Sequence, residues 1–300
     1  MGSPDFAVPS LQALAEAYTV VGVITQPDRP AGRGRKLQPS AVRTAAAELE
    51  IPTITPQRLN QKDALQQLRD WQPAVIVVAA FGQILKPAVL DLPAHGCVNM
   101  HASLLPRHRG AAPVAAAILA GDEKTGITMM KMDRGLDTGP ILAQRSIAIQ
   151  PTHTGGILTA ALAEIGATLL SDTLPEYLSG AISPQPQDEA HATYAPRLKK
   201  IDGRIDWEQS AETIARQVRA LHPWPGTFAM LAGQPMKIQA ATTKEGTALP
   251  GAVVTSDAAI AVGTGEDLLQ LEVIQPAGKR PMQALDYLRG APDFAGALLA

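Results

Sequence analysis

A chain of 300 residues, 46% hydrophobic and 18% charged, is long enough for two compact units with their own cores. A formal charge of −2 excludes a globally basic nucleic-acid binder, so any RNA contact must come from local clusters. The one cysteine, Cys97, excludes an internal disulfide framework and a zinc-finger ligand set, and with them a metal site is not expected. No leader-like N-terminus is evident, and no apolar run is expected to reach the roughly 18–20 residues of a membrane span, which points to a cytoplasmic protein.

In chain order, short β-branched runs alternate with longer amphipathic stretches, the pattern of βα units around a mostly parallel, doubly wound sheet. Residues 19–25 (TVVGVIT), 51–55 (IPTIT), 73–80 (PAVIVVAA) and 96–101 (GCVNMH) read as strands. Between them, 40–50 and 60–71 carry apolar residues at helical spacing, with Ser40 and Asn60 as expected N-caps. Residues 125–132 and 141–149 read as a later strand pair, and 154–178 as a long Ala/Leu/Ile helix. Pro and Gln displace the aliphatics at 183–189 (SPQPQDE), the composition of a linker. The expected division is therefore a first domain over 1–182, a linker over 183–203 and a second domain over 204–300. A helix at 210–221 and short alternating runs at 227–231, 236–241, 252–255, 259–262 and 268–273 suit a small β-barrel in that second domain.

The densest chemistry lies at Asn99-Met100-His101, followed by Ser103-Leu104-Leu105-Pro106 and Arg107-His108-Arg109-Gly110. Ligand crevices of open α/β sheets lie beyond the carboxyl ends of strands, and strand alternation puts Asn99 and His101 on one face. An amide and an imidazole pointing together can hold a carbonyl oxygen and manage a proton; they can equally satisfy loop backbone groups. A second cluster, Asp133-Arg134-Gly135-Leu136-Asp137-Thr138-Gly139, lies between two expected strands and supplies a carboxylate that could orient an imidazole. Cys97 is expected to be a small buried hydrophobe, and His108, between two arginines, to be exposed or at the substrate.

The run 81–142, which contains both clusters, resembles the catalytic core of the folate-dependent formyltransferases. The likeness extends nearly end to end, through PDF at 4–6, TQPDRPAGRGRKL at 25–37, RIDW at 204–207, HPWPG at 222–226 and QPAGKRPM at 275–282, and over that length it is to the members that formylate methionyl-tRNA. The resemblance implies a Rossmann-like domain, a C-terminal OB-like barrel and a monomeric enzyme. It implies transfer of a formyl group from 10-formyltetrahydrofolate to the methionine amino group of initiator methionyl-tRNA, without a membrane. It assigns catalysis to Asn99, His101 and Asp137, with Asn99 and a protonated His101 as oxyanion donors. Folate would lie along Phe81, Gly82, Gln83, Ile84 and Leu85, the Ser103-Leu104-Leu105-Pro106 turn, Asp133 and Gly135; Phe81 stands where many relatives have Tyr. Two other readings share these residues: a formyltransferase for a small amine, such as glycinamide ribonucleotide or an amino sugar nucleotide, and an inactive RNA-binding relative.

Four of the eight residues from Arg29 to Lys36 are cationic (Arg29, Arg33, Arg35, Lys36), with glycines between them. From composition this is either a solvated loop or a phosphate-binding one. The resemblance favours tRNA, with Lys199, Lys200, Arg204, Arg216, Arg219, Lys279 and Arg280 extending the track. It also implies an apolar strand ahead of the Gly2-Ser3-Pro4-Asp5-Phe6 loop, so Met1 is expected to be an internal methionine of a longer chain.

Overall fold

The computed structural model describes residues 1–31, 36–256 and 259–300. The chain divides into two compact units. One comprises Met1–Pro113, Lys124–Ala148 and Thr159–Ala195; the other comprises Val114–Glu123, Ile149–Leu158 and Pro196–Ala300.

In the first unit, Val23–Ile24 and Thr53–Ile54 form a parallel pair. A four-stranded sheet runs in the order Ile76–Val78, Cys97–His101, Lys124–Lys131, Ile141–Ala148, with the first pair parallel and the others antiparallel. Backbone atoms of Met1 and Gly2 link the two sheets: Gly2 N donates to Ile24 O at 3.1 Å, and Ala79 N donates to Met1 O at 2.9 Å. The observed strands are shorter than the apolar runs that predict them, because only the hydrogen-bonded centres of runs such as 19–25 and 73–80 lie in the sheet.

Ser40 caps the helix Ala41–Glu48 as expected, accepting from Arg43 N at 3.1 Å. Asn60 does not cap the next helix: Lys62–Trp71 begins one residue later, after Gln61, with no side-chain cap, and is held by its buried Ala64 and Leu68. The core beneath these helices is built from Ile24, Leu68, Ile76, Val78, Val89 and Cys97, together with Phe81 and Leu85. The interior of Lys124–Lys131 is buried on both faces, whereas Ile141–Ala148 alternates inward and outward, as an edge strand does.

The helix Gly155–Leu178 corrects one expectation from composition, since by length and hydropathy it could cross a membrane. Leu162, Leu169, Leu170 and Leu174 on one side of it are nonetheless buried within the protein. The stretch after it is not a free connection. Gln185 exchanges backbone hydrogen bonds with Ile141, and Tyr194–Ala195 pairs in parallel with Arg109–Gly110, so 185–195 is fastened to the first unit.

The second unit carries the helix Ala211–Ala220, capped by Ser210, with Ala211, Ile214 and Val218 buried at i, i+3, i+7 spacing. They pack against an antiparallel sheet in the order Thr227–Leu231, Gln234–Lys244, Leu268–Gln275, Ala259–Gly263, Val253–Ser256, with Met282–Gln283 also paired to Leu268–Gln275. The chain end touches both outer strands. Ala300 exchanges backbone hydrogen bonds with Met230, while Leu299 N donates to Gly251 O and Val253 N to Ala297 O, each at 2.9 Å.

Candidate active site

The strand Cys97–His101 sets the site by alternation. Cys97, Asn99 and His101 share one face: Cys97 is in the core, Asn99 is half-buried, and His101 stands at the strand end with 5% exposure. Burial pushes the Cys97 thiol up to about 12, so it is a protonated packing group, as its sequence context implies. Among the described residues no hydrogen bond engages the Asn99 carboxamide, which leaves both its donors for a ligand.

Asp137 reaches His101 by an unexpected route. The connection from Lys124–Lys131 to Ile141–Ala148 leaves the sheet level with Cys97, where Met132 N donates to Cys97 O at 2.8 Å. It then folds back along the strand, so that Asp137 Oδ2 lies 3.6 Å from His101 Nδ1 and accepts from Gly110 N at 2.8 Å. Within this loop, Asp133 receives Gly135 N at 2.9 Å and Thr138 Oγ1 at 2.7 Å, so its carboxylate braces the turn. Gly110 must be glycine: its φ is 118°, and a Cβ there would stand 2.6 Å from Ala195 O.

The other ring nitrogen fixes the protonation pattern. His101 Nε2 lies 3.0 Å from His108 O, and a carbonyl accepts only, so Nε2 carries the hydrogen. Burial holds the imidazole below its ordinary value, against a smaller upward pull from Asp137 and the His108 carbonyl. Nε2 is thus the nitrogen that donates to the His108 carbonyl, and Nδ1 is the nitrogen that faces Asp137. Of the two expectations for His108, exposure is not met: it is buried, and its backbone N–H donates to Thr193 Oγ1 at 2.8 Å.

The loops assigned to folate divide by burial. Phe81 and Leu85 are core residues, so the phenyl ring packs where a tyrosine hydroxyl would need a partner, and Phe81 O accepts from Gln26 Nε2 at 3.0 Å. Gly82 has a φ of 78°, and Gln83 braces residues 56–59, its Oε1 accepting from Leu59 N at 2.8 Å. Ile84 is 89% exposed. The Ser103-Leu104-Leu105-Pro106 turn is pinned by two residues that the sequence reading missed. Thr128 Oγ1 donates to Ser103 O at 2.6 Å and accepts from Leu105 N at 3.0 Å, and Gln144 Nε2 donates to Leu105 O at 2.9 Å. Gln187 and Glu189, in the stretch that reads as a linker, are missed as well, and Arg109, named with the polar cluster, is the residue they hold.

The cationic residues fall into two groups. Arg29 and Lys36 lie in the antiparallel strand pair of Arg29–Ala31 and Lys36–Gln38, whereas Arg33 and Arg35 lie outside the described residues. Lys199, Lys200, Arg204, Lys279 and Arg280 are exposed on the second unit. Arg216 and Arg219 do not join them: Arg216 pairs with Glu212, and Arg219 donates to His153 O at 3.0 Å. Among the described residues, no group of three or more His, Cys, Asp or Glu side chains could hold a metal ion.

A buried imidazole beside a carboxylate, with an unengaged amide on the same strand face, is the equipment of acyl-type transfer to an amine. The fold and sequence assign the chain to that class: a formyl transferase family model matches residues 2–174, and the C-terminal domain model of the same family matches 197–292. The chain is 48% identical to the methionyl-tRNA formyltransferase of Roseiflexus castenholzii, over 97% of this chain and 94% of that one. It is 48% identical to the methionyl-tRNA formyltransferase of Stenotrophomonas maltophilia, over 98% and 97%. The chain belongs to the methionyl-tRNA formyltransferase family. In fold it is similar to the sugar 3N-formyl transferase WlaRD, solved with dTDP and 5-N-formyl-THF, at a TM-score of 0.68 and 18% identity over 93% of this chain and 97% of that one.

Proposed function

We propose that the chain transfers a formyl group from 10-formyltetrahydrofolate to the α-amino group of methionine on initiator methionyl-tRNA, supplying the formylated tRNA for translation initiation. The observation that carries this reading is the buried His101–Asp137 pair beside the unengaged amide of Asn99, in a chain related over nearly its whole length to methionyl-tRNA formyltransferases. The amine nitrogen bonds to the formyl carbon while the bond from that carbon to folate N10 breaks. The attacking amine must lose a proton and the leaving nitrogen must gain one. His101 Nδ1 holds the lone pair that takes the proton up, and Asp137, 3.6 Å away, stabilises the imidazolium so formed. Asn99 donates to the oxyanion of the tetrahedral intermediate, the positive charge of the ring stabilises it through space, and the ring returns its proton to folate N10 as the carbon–nitrogen bond breaks.

In this reading folate lies along 81–85, the turn at 103–106 and the loop carrying Asp133 and Gly135. Arg29 and Lys36 on their paired strands, Arg33 and Arg35 between them in sequence, and the exposed Lys199, Lys200, Lys279 and Arg280 contact tRNA phosphates. The catalytic domain is Rossmann-like and includes the fastened stretch 185–195, so the connection expected at 183–203 shortens to 196–203 before the tRNA-binding domain at 204–300. An OB-like barrel for the latter is supported by the terminal residues, whose hydrogen bonds reach both outer strands of an otherwise open sheet. The protein acts as a monomer in the cytoplasm, where charged initiator tRNA is used.

The test is formyl transfer from 10-formyltetrahydrofolate to methionyl initiator tRNA, run beside glycinamide ribonucleotide and an amino sugar nucleotide. The reading requires the tRNA to be the preferred acceptor. Preference for a small amine would overturn it, as would binding of tRNA without turnover.

A further inference from the structure

Gln187 lies in a stretch whose composition reads as a linker, yet its side chain is engaged at both ends. Nε2 donates to Asp137 O at 2.8 Å and to Gly139 O at 2.7 Å. Oε1 accepts from Arg109 Nε at 3.0 Å and from its terminal nitrogen at 2.8 Å. A guanidinium has donors only, so the oxygen must face Arg109 and the amide nitrogen must face the two carbonyls. Arg109 is itself immobilised. Its side chain is fully buried, and its outer edge makes two parallel hydrogen bonds to Glu189, at 2.7 and 2.8 Å.

Asp137 needs such support. Its φ is 53°, the left-handed region that residues with a side chain occupy sparsely, and which persists only where the surroundings over-determine it. Two groups hold it from neighbouring points. The Gly110 N–H fixes the carboxylate, while Gln187, oriented by Arg109 next in sequence to Gly110, fixes the backbone carbonyl.

We propose that Gln187 is a positioning residue for formyl transfer: held by Arg109, it fixes the loop at Asp137 and Gly139 in the conformation that sets the Asp137 carboxylate against His101. This inference rests on the reading of Asp137 as a catalytic group.

Two substitutions separate positioning from packing. Gln187→Glu keeps the oxygen that accepts twice from Arg109 but sets a second carboxylate oxygen, in place of the amide donor, against the two carbonyls; Gln187→Met keeps the length and removes every polar contact. Both should lower kcat by about 10- to 100-fold, the size of effect expected when a reacting group is displaced by about an ångström. The KM for methionyl-tRNA should change little, and Gln187→Glu should melt close to the wild type. A merely structural Gln187 would give the reverse: a lowered melting temperature in Gln187→Met, restored in Gln187→Glu, with wild-type kcat per folded molecule in both. Should Gln187→Met fail to fold, Gln187→Glu alone decides, and wild-type kcat in it overturns the proposal. Asp137→Asn, which keeps the backbone carbonyl that Gln187 holds, is measured in parallel. If it retains kcat, the catalytic reading of Asp137 falls and the positioning role falls with it. If it loses kcat while Gln187→Glu does not, the positioning role alone is overturned.

Discussion

The end of the Cys97–His101 strand and the paired strands Arg29–Ala31 and Lys36–Gln38 both hold charged or polar side chains, and they use them in opposite ways. At the strand end, His101 is buried with Nε2 donating to His108 O and Nδ1 facing Asp137, and Asp137 is held through its carboxylate and its carbonyl. On the paired strands, Arg29 donates to the Gln26 side chain at 3.2 Å in an exposed position, and Lys36 is exposed. A preorganised site lowers a barrier because its groups need not reorganise during reaction, whereas an exposed cation contributes through its field and the counterions it displaces. Substitutions in the first region should therefore act on turnover and those in the second on binding and its salt dependence.

The largest expected effect is at the strand end. Asn99→Ala, His101→Ala and Asp137→Ala should each lower kcat by about 100- to 1,000-fold, the usual cost of removing an oxyanion donor or its proton partner. Affinity for tRNA should stay close to wild type. Steady-state kinetics with a separate filter-binding measurement checks this, and a wild-type kcat in any one of the three removes that residue from the reaction.

The cationic region should respond in the opposite sense. Replacing Arg33 and Arg35 together should weaken tRNA binding with kcat nearly intact, and the slope of log affinity against log salt should become shallower by about 0.7–0.9 for each phosphate no longer neutralised. A salt titration that superimposes on wild type would take this loop out of tRNA recognition and leave the exposed cations of the second unit.

A smaller effect concerns protonation. Burial holds His101 below 6.5 in the folded chain, so just beneath that pH the unfolded chain binds more protons, and the histidine's contribution makes stability rise with pH up to about 6.5. Below the folded value both states are protonated and the cost of burying the charge is fully present. His101→Asn abolishes this titration, so urea melts should show the wild type's advantage over the variant to be smaller at pH 5.5 than at pH 7.5. An equal difference at the two pH values would mean that the ring is not held neutral by burial.

The smallest change is expected at Arg219, an arginine of the second unit whose head group is engaged with the His153 carbonyl. Arg219→Ala should cost about 1 kcal/mol of stability, from the removal of one hydrogen bond by a charged donor and some packing, and leave tRNA affinity unchanged. A fall in affinity with unaltered melting would return Arg219 to the tRNA-binding set.

Much of this arrangement is legible in the sequence. Period-two and period-3.6 patterning marks the strand centres and the Ser40 and Ser210 caps, and alternation alone puts Asn99 and His101 on one face. Element ends were less legible. Asn60 looks like a cap but gives way to an uncapped start, since burial of Leu68 decides where the helix lies.

Sequence alone determined which side chains face the same way along a strand, because that depends only on the two-residue repeat of the backbone. It also determined that Cys97 would be a buried thiol and that the chain has no excess of positive charge. Tertiary structure decided the rest. The return of the 132–140 loop over its neighbouring strand, the desolvation that lowers the His101 pKa, and the capture of Gln187 by Arg109 all depend on which groups lose water and which find partners across about 30 to 80 residues of chain. Desolvation and long-range hydrogen bonding are properties of neighbours in space, and a stretch such as 183–195, polar and proline-rich, carries no local sign that one of its glutamines reaches the active-site loop.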